Sequence, residues 1–115
     1  MTLIGTDIEQ ISRVALALSR TPRFAEKLFT PAERAYCDGH ARPAQHYAAR
    51  FCAKEAFAKA LGHALAWQDV EVVRDDDGPP EIRVTGAAAR ALAGRTARVS
   101  LSHAGDYAIA VVLIE

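Results

Sequence analysis

In the first half of the chain apolar positions recur at helical spacing, and in the second half the period drops to two. The stretch TLIG is a short strand candidate. TDIEQISRVALAL follows it, with Ile8, Ile11, Val14, Ala15 and Leu18 sharing one helical face. Glu9, Arg13 and Arg20 fall opposite, with Leu16 beside them, and Thr6 or Asp7 is placed to cap that helix. TPAERAYC opens on Thr30 and Pro31 and has Glu33 three residues after Thr30, the signature of a capped second helix. DGHARP reads as a loop. A long helix starts after Pro43 and stops at Gly62.

Beyond it, DVEVV and EIRVT alternate as strands do, and RDDDGPP between them reads as a turn. GAAARALAG is a small helix. ARVSLS and YAIAVVLI are strands joined by HAGD, a hairpin-like connection. One strand, then helices, then several strands around a short helix predict an α+β fold with an antiparallel sheet. At 115 residues the chain suits one domain, residues 1–115, with a single modest core.

Half the residues are hydrophobic and 24% are charged, an ordinary soluble composition. No apolar run suggests a membrane span and no N-terminal signal pattern is evident, so the expected location is the cytoplasm. The formal charge of zero gives no reason to expect bulk nucleic-acid affinity. The charge is uneven, however. Residues 13–34 hold Arg13, Arg20, Arg23, Lys27 and Arg34 against Glu26 and Glu33, five minus two, a local excess of three positive charges. Such a surface suits an acidic partner. Cys37 and Cys52 suggest no disulfide framework. With His40 and His46 they match no zinc-ligand spacing, so thiols and ordinary histidines are expected.

On the long helix, ARFCAKEAFAKALG places a carboxylate where a small protein would put Leu or Ile. With Glu55 at the origin of a helical wheel, Ala48 and Gly62 lie within about 20°, Phe51 and Lys59 about 40° to either side, and Cys52 and Ala58 at about 60°. Lys59 at i+4 fits an ion pair with Glu55, or a cation able to reach a phosphate from a cleft. Asp7, at the strand-to-helix junction, fits either an N-cap or, with Glu55, a magnesium site. His103, after SLS, fits a structural turn residue, a phosphate donor or a proton-transfer group. Arg50 and Lys54 are a like-charged i, i+4 pair, expected on a solvated face or around a bound anion, to which Arg42 can add.

Three stretches in this order and spacing carry a resemblance: IGTDI (4–8), RFCAKEAFAKALG (50–62) and VSLSHAGDYAIA (99–110). With FAEKLFTPAE (24–33) and WQDVEVVRDDDGPPEI (67–82), they make nearly the whole chain similar to the holo-[acyl-carrier-protein] synthases, the small 4′-phosphopantetheinyl transferases. The resemblance implies transfer of phosphopantetheine from coenzyme A to a serine of an acidic acyl carrier protein, fatty-acid or polyketide, with release of adenosine 3′,5′-bisphosphate. It implies Mg²⁺ held by Asp7 and Glu55, pyrophosphate contact by Lys59, and a catalytic histidine at His103. It leaves open whether Asp7, Glu55 or a metal-bound water takes the serine proton.

By the same resemblance, Arg50 lies near the coenzyme and Arg42 belongs to a basic cluster around its 3′-phosphate. Arg13, Arg20 and Arg23 meet the carrier, and the assembly is a homotrimer with each site at a subunit boundary. Ala48, Cys52 and Ala58 then read as room for the coenzyme. The chain departs from the pattern at Ala49 for the usual glycine, Cys52 for the usual alanine, Pro79 for the lysine of a GKP turn, and Ala41 and Pro43 where basic residues are common.

Overall fold

A computed structural model describes residues 1–75 and 78–115; Asp76 and Asp77, part of the predicted RDDDGPP turn, lie outside the described residues. The first strand, β1 (Leu3–Gln10), is longer than the hydrophobic pattern suggests, and the helix after it, α1 (Ile11–Arg20), starts later. The helix predicted from Thr6 is therefore corrected. Thr6 and Asp7 are strand residues, and neither caps α1. Ile4, Thr6 and Ile8 are β-branched and suit a pleated strand. The N-terminus of α1 is served from the far end of the chain, where Asp106 O accepts from Ile11 N at 2.7 Å and the Asp106 carboxylate accepts from Ser12 N and Oγ at 3.0 and 2.6 Å.

A one-turn helix that the pattern does not reveal, α2 (Phe24–Leu28), precedes α3 (Pro31–Asp38). The predicted capping box at α3 is present in full, with Thr30 and Glu33 bonded reciprocally. The long helix α4 (Pro43–Leu61) ends at Gly62, whose φ of 85° is the left-handed conformation that favours glycine. A 3₁₀ turn (Trp67–Asp69) leads into β2 (Val70–Val73), followed by β3 (Glu81–Val84), α5 (Gly86–Leu92), β4 (Ala97–Ala104) and β5 (Tyr107–Ile114).

The fold is α+β with antiparallel pairing, as expected, and among the described residues the strands form two sheets. A three-stranded sheet has the order β1-β5-β4, and β2 pairs with β3 apart from it. The apolar C-terminal segment is thus a central strand, paired along its length with Leu3–Gln10 on one side and Ala97–Ala104 on the other.

Helix α4 lies across the inner face of this sheet. Ala53, Ala56 and Phe57 pack there among Ala108, Ala110, Val112 and Ile114, all without solvent exposure. The run of alanines lets the backbones approach closely. A Cβ on Gly5 would lie 2.0 Å from Ala56 O, so only glycine fits where β1 passes the helix. This tight crossing places Asp7, two residues along β1, against α4. The outer sheet face is uncovered and apolar: Ile4, Ile8, Tyr107, Ile109 and Val111 are all exposed. Ile8, expected on the core side of a helix, belongs to this outer face. No helix among the described residues is long and apolar enough to cross a membrane.

Candidate active site

Alternation along β1 turns Asp7 inward, where it meets Lys59 from the last turn of α4. Lys59 Nζ donates to Asp7 Oδ1 at 3.0 Å and to Thr6 O at 3.1 Å. The ion pair of Lys59 is therefore with Asp7 rather than with Glu55, its i−4 neighbour. That hydrogen bond, with the charge of Asp7 behind it, raises the Lys59 pKa above its ordinary value. Asp7 Oδ2 is buried and has no hydrogen-bond partner. An unpaired buried carboxylate oxygen is costly, and a cation at that oxygen removes the cost.

Glu55 is half-buried on the same side of α4. Its pKa is raised, first by burial and then by the Asp7 carboxylate, against the opposing pull of Lys59. Glu9, the next inward residue of β1, joins this crowd. Its pKa is raised to about 7 by burial, by its contact with the Asp7 carboxyl and by the charges of Asp7 and Glu55. Sequence reasoning set Glu9 on the solvated face of a helix. A strand through Gln10 puts it beside Asp7 instead, and the alternation of Gly5, Asp7 and Glu9 against Ile4 and Ile8 was the available signal. Among the described residues no three histidine, cysteine or acidic side chains are gathered closely enough to enclose a metal ion. Mg²⁺ asks for less, one or two carboxylates with waters and phosphate oxygens completing its shell. The orphaned Asp7 oxygen and the hard oxygen donors of Asp7 and Glu55 fit that ion.

Glu55 and Lys59 also border a cavity of about 530 Å³ running from α4 to the 3₁₀ turn, walled by Ala58, Leu65, Trp67 and Val70. The Trp67 ring stacks on Phe51 with centroids 5.2 Å apart, which stiffens that wall. The cavity has the size and apolar lining of a small-molecule site with charged groups at its edge.

A second, smaller hollow of about 100 Å³ lies on the other side of α4 and is lined by Gln45, His46, Arg50, Arg74, Ser102 and His103. His103 sits within β4, exposed, with Nε2 3.1 Å from Gln45 Nε2. Arg50 is only 2% exposed, and its Cζ lies over the Tyr36 ring, 4.0 Å from the centroid. Its Nη1 reaches His46 O at 3.4 Å, while Nε and Nη2 are buried without partners. A buried guanidinium with free donors beside Arg74 and His103 is suited to an anion. Asp7 and His103 stand on opposite edge strands of the sheet with β5 between them, and Arg50 opens into the second hollow while Glu55 and Lys59 border the first, so one chain does not bring His103 and Arg50 to the acidic group. Arg42, exposed at the start of α4, lines neither hollow.

A model of the 4′-phosphopantetheinyl transferase superfamily matches residues 3–112. A holo-[acyl-carrier-protein] synthase of Geobacter metallireducens is 47% identical over 96% of this chain and 94% of its own length. This chain belongs to the holo-[acyl-carrier-protein] synthases. Among solved structures of such synthases, the acyl carrier protein synthase of Mycobacterium tuberculosis is 38% identical, with a TM-score of 0.82 over 98% of this chain and 96% of that one. The ACPS–CoA complex of Chronobacterium ammoniagenes is 28% identical, with a TM-score of 0.88 over all of this chain and 97% of that one.

Two expectations about this synthase are overturned by the packing. Arg50 and Lys54 are not on a solvated face, since both are buried. Arg50 is covered by Tyr36, and Lys54 Nζ is paired with Glu33 Oε1 at 2.8 Å. Ala48 and Cys52 are not room for a coenzyme either. They are core residues with no exposure, and Cys52 Sγ donates to Ala108 O at 3.3 Å; of the three small residues only Ala58 borders the cavity. Cys37 is likewise a buried free thiol. Burial pushes both cysteines up to about 12, so at neutral pH neither is a thiolate. Arg13, Arg20 and Arg23 are exposed along α1 and the turn after it, and Leu16 stands exposed among them.

Proposed function

We propose that this synthase transfers 4′-phosphopantetheine from coenzyme A to a serine hydroxyl of an apo acyl carrier protein, with release of adenosine 3′,5′-bisphosphate, in a Mg²⁺-dependent reaction in the cytoplasm. The observation that carries the reading is the cluster at the α4–β1 crossing, where the orphaned Asp7 oxygen, Glu55 and Lys59 meet at the edge of an apolar cavity.

Asp7 and Glu55 are the residues to hold the ion, which supplies Lewis-acid neutralisation of phosphate charge when bound. Lys59, more than half exposed and tied to Asp7, is free to turn its ammonium to a pyrophosphate oxygen. Its position against Asp7 keeps that charge one helical turn from Glu55, where it can offset the negative charge that grows on the leaving phosphate. The cavity walls of Ala58, Leu65 and Trp67 suit the apolar stretches of the coenzyme. His103, Arg50 and Arg42 act on its phosphates, with His103 placed to donate and the Arg50 guanidinium fixed by Tyr36.

Because His103 lies across the sheet from Asp7, and Arg50 opens with it into the hollow on the other side of α4, a complete site needs a second copy to supply them. The exposed apolar face of Ile4, Ile8, Ile109 and Val111 supports self-association, and a homotrimer with sites at its boundaries is part of the proposal.

The test is direct. The protein is incubated with coenzyme A, Mg²⁺ and an apo carrier, and the carrier is weighed by mass spectrometry. A phosphopantetheine mass increase that disappears with EDTA is expected, and an unmodified carrier overturns the reading.

The carrier surface has its own expected result. Arg13→Glu or Arg20→Glu raises KM for the carrier about tenfold through charge reversal at an exposed rim, with kcat little changed. The salt dependence of KM shrinks as well. An unchanged KM in both variants removes α1 from the carrier interface.

A further inference from the structure

Lys54 is a buried cation that the proposed chemistry leaves unused. Its side chain is 1% exposed, and that of its partner Glu33 is 0% exposed. Stability alone gives little reason for such a pair, because well-packed apolar residues of similar volume often hold a core as well or better. What an apolar pair cannot do is donate. The Lys54 ammonium has three N–H groups and meets three acceptors: Glu33 Oε1 at 2.8 Å, the Trp67 carbonyl at 2.8 Å and the Val70 carbonyl. Two of these are main-chain oxygens, one at the start of the 3₁₀ turn and one just past its end. Both belong to the wall of the 530 Å³ cavity, which every residue from 62 to 67 and Val70 help to line. Residues 63–66 of that wall are neither helix nor strand. The strap leaves α4 where Gly62 N and His63 N donate to Ala58 O at 2.8 and 3.2 Å, and it is tied back to α4 at Lys54, one helical turn earlier. Gln68 Nε2 also holds the turn, through Phe29 O at 3.3 Å, but that bond leads to the end of α2. Lys54 is thus the side chain that sets the gap between the strap and the helix carrying Glu55 and Lys59.

We propose that Lys54 is a positioning residue for the coenzyme, its ammonium holding the strap through the Trp67 and Val70 carbonyls at the distance from α4 at which the cavity accepts its ligand. The inference rests on the reading that this cavity takes coenzyme A, and it adds a residue which that reading does not use. Lys54 acts through the main chain of the wall, so its loss leaves Asp7, Glu55 and Lys59 in place. A strap without its anchor must be ordered when the coenzyme binds, and that ordering weakens affinity. The effect therefore falls on KM for coenzyme A and spares kcat.

Two variants separate positioning from stability. Glu33→Gln breaks the ion pair but keeps both carbonyl bonds, since even a neutral amine at Lys54 has two N–H donors for them. Lys54→Met/Glu33→Gln removes the pair from both sides and both carbonyl bonds with it. Coenzyme A affinity is measured by calorimetry on the full-length protein, KM and kcat by carrier modification, and stability by urea unfolding. Acrylamide quenching of Trp67, the one tryptophan of the chain, reports the wall directly. In Glu33→Gln stability is expected to fall while coenzyme A affinity, KM and quenching match the unaltered protein. In the double variant Kd and KM for coenzyme A rise about tenfold, Trp67 becomes more open to acrylamide, and kcat changes less than about twofold. A KM for coenzyme A that rises in Glu33→Gln in step with lost stability overturns the proposal, and this result decides it even where the double variant does not fold. Unchanged coenzyme A affinity in the folded double variant overturns the role of Lys54 and leaves the reading of the cavity standing. Absence of coenzyme A binding by the unaltered protein overturns both.

Discussion

Glu55→Gln is expected to lower phosphopantetheine transfer by about 10³-fold, the scale of losing one preorganised electrostatic group in a site of this kind. The substitution preserves shape and removes only the charge. Stability should change little, because burial and Asp7 already raise the pKa of Glu55, so the folded protein gains nothing from its ionised form. The loss should appear in kcat/KM for both substrates, and excess Mg²⁺ should recover part of it if ion affinity is the quantity that falls. Steady-state kinetics across a Mg²⁺ titration, beside a thermal melt, separates these contributions. Activity within threefold of the unaltered enzyme removes Glu55 from the ion site and leaves Asp7 and Lys59 as an ordinary ion pair.

The second large effect is on stability. Lys54→Met should cost about 3–5 kcal/mol, the usual consequence of breaking a buried pair from one side. Lys54 Nζ donates to Glu33 Oε1 at 2.8 Å and to the Trp67 carbonyl at 2.8 Å, and also bonds the Val70 carbonyl. Glu33 in turn accepts from Thr30 N at 2.9 Å and Val72 N at 3.0 Å. One pair thus ties α4, the start of α3, the 3₁₀ turn and β2 together. Burial lowers the Lys54 pKa, and Glu33 opposes that effect. Removing the lysine strands the carboxylate and frees two carbonyls, one of them from Trp67, which walls the cavity. Urea unfolding measures the loss, and the double variant Lys54→Met/Glu33→Gln should recover part of it. A loss below about 1 kcal/mol in the single variant, within the range of exposed pairs, contradicts the burial argument.

That pair also marks where sequence reading stops. Arg50 and Lys54, four apart among alanines, look like a charged helix face because helical spacing reports only which residues share a side. It does not say whether Tyr36 or Glu33 will arrive to cover them. Glu33 was legible as a capping-box residue, a role set by Thr30 and its own backbone. Its second role, as the counter-ion of Lys54, spans 21 positions of sequence and has no local signal. The strand β1 shows the same limit from the other direction. TDIEQISRVAL scans as a helix because Ile8, Ile11 and Val14 match that period. Eight residue pairs with β5, 97 to 111 positions apart in sequence, hold it extended to Gln10. With the strand comes a change of face for every residue in it: Ile8 outward, Glu9 inward beside Asp7.

What the sequence by itself determined is what short-range physics controls. The caps at Thr30–Pro31–Glu33 and Gly62, the extent of α4, the alternation of the later strands and the basic face of α1 each depend on a few adjacent residues. The motifs that mark the family are likewise contiguous. Only the tertiary structure decided the length of β1, the separation into two sheets, the burial of Arg50, Lys54, Ala48 and Cys52, and the gathering of Asp7, Glu9, Glu55 and Lys59 at one crossing. These outcomes depend on which surfaces meet, and the closest meeting turns on a missing Cβ at Gly5, where β1 presses against Ala56 and delivers its two carboxylates to the helix.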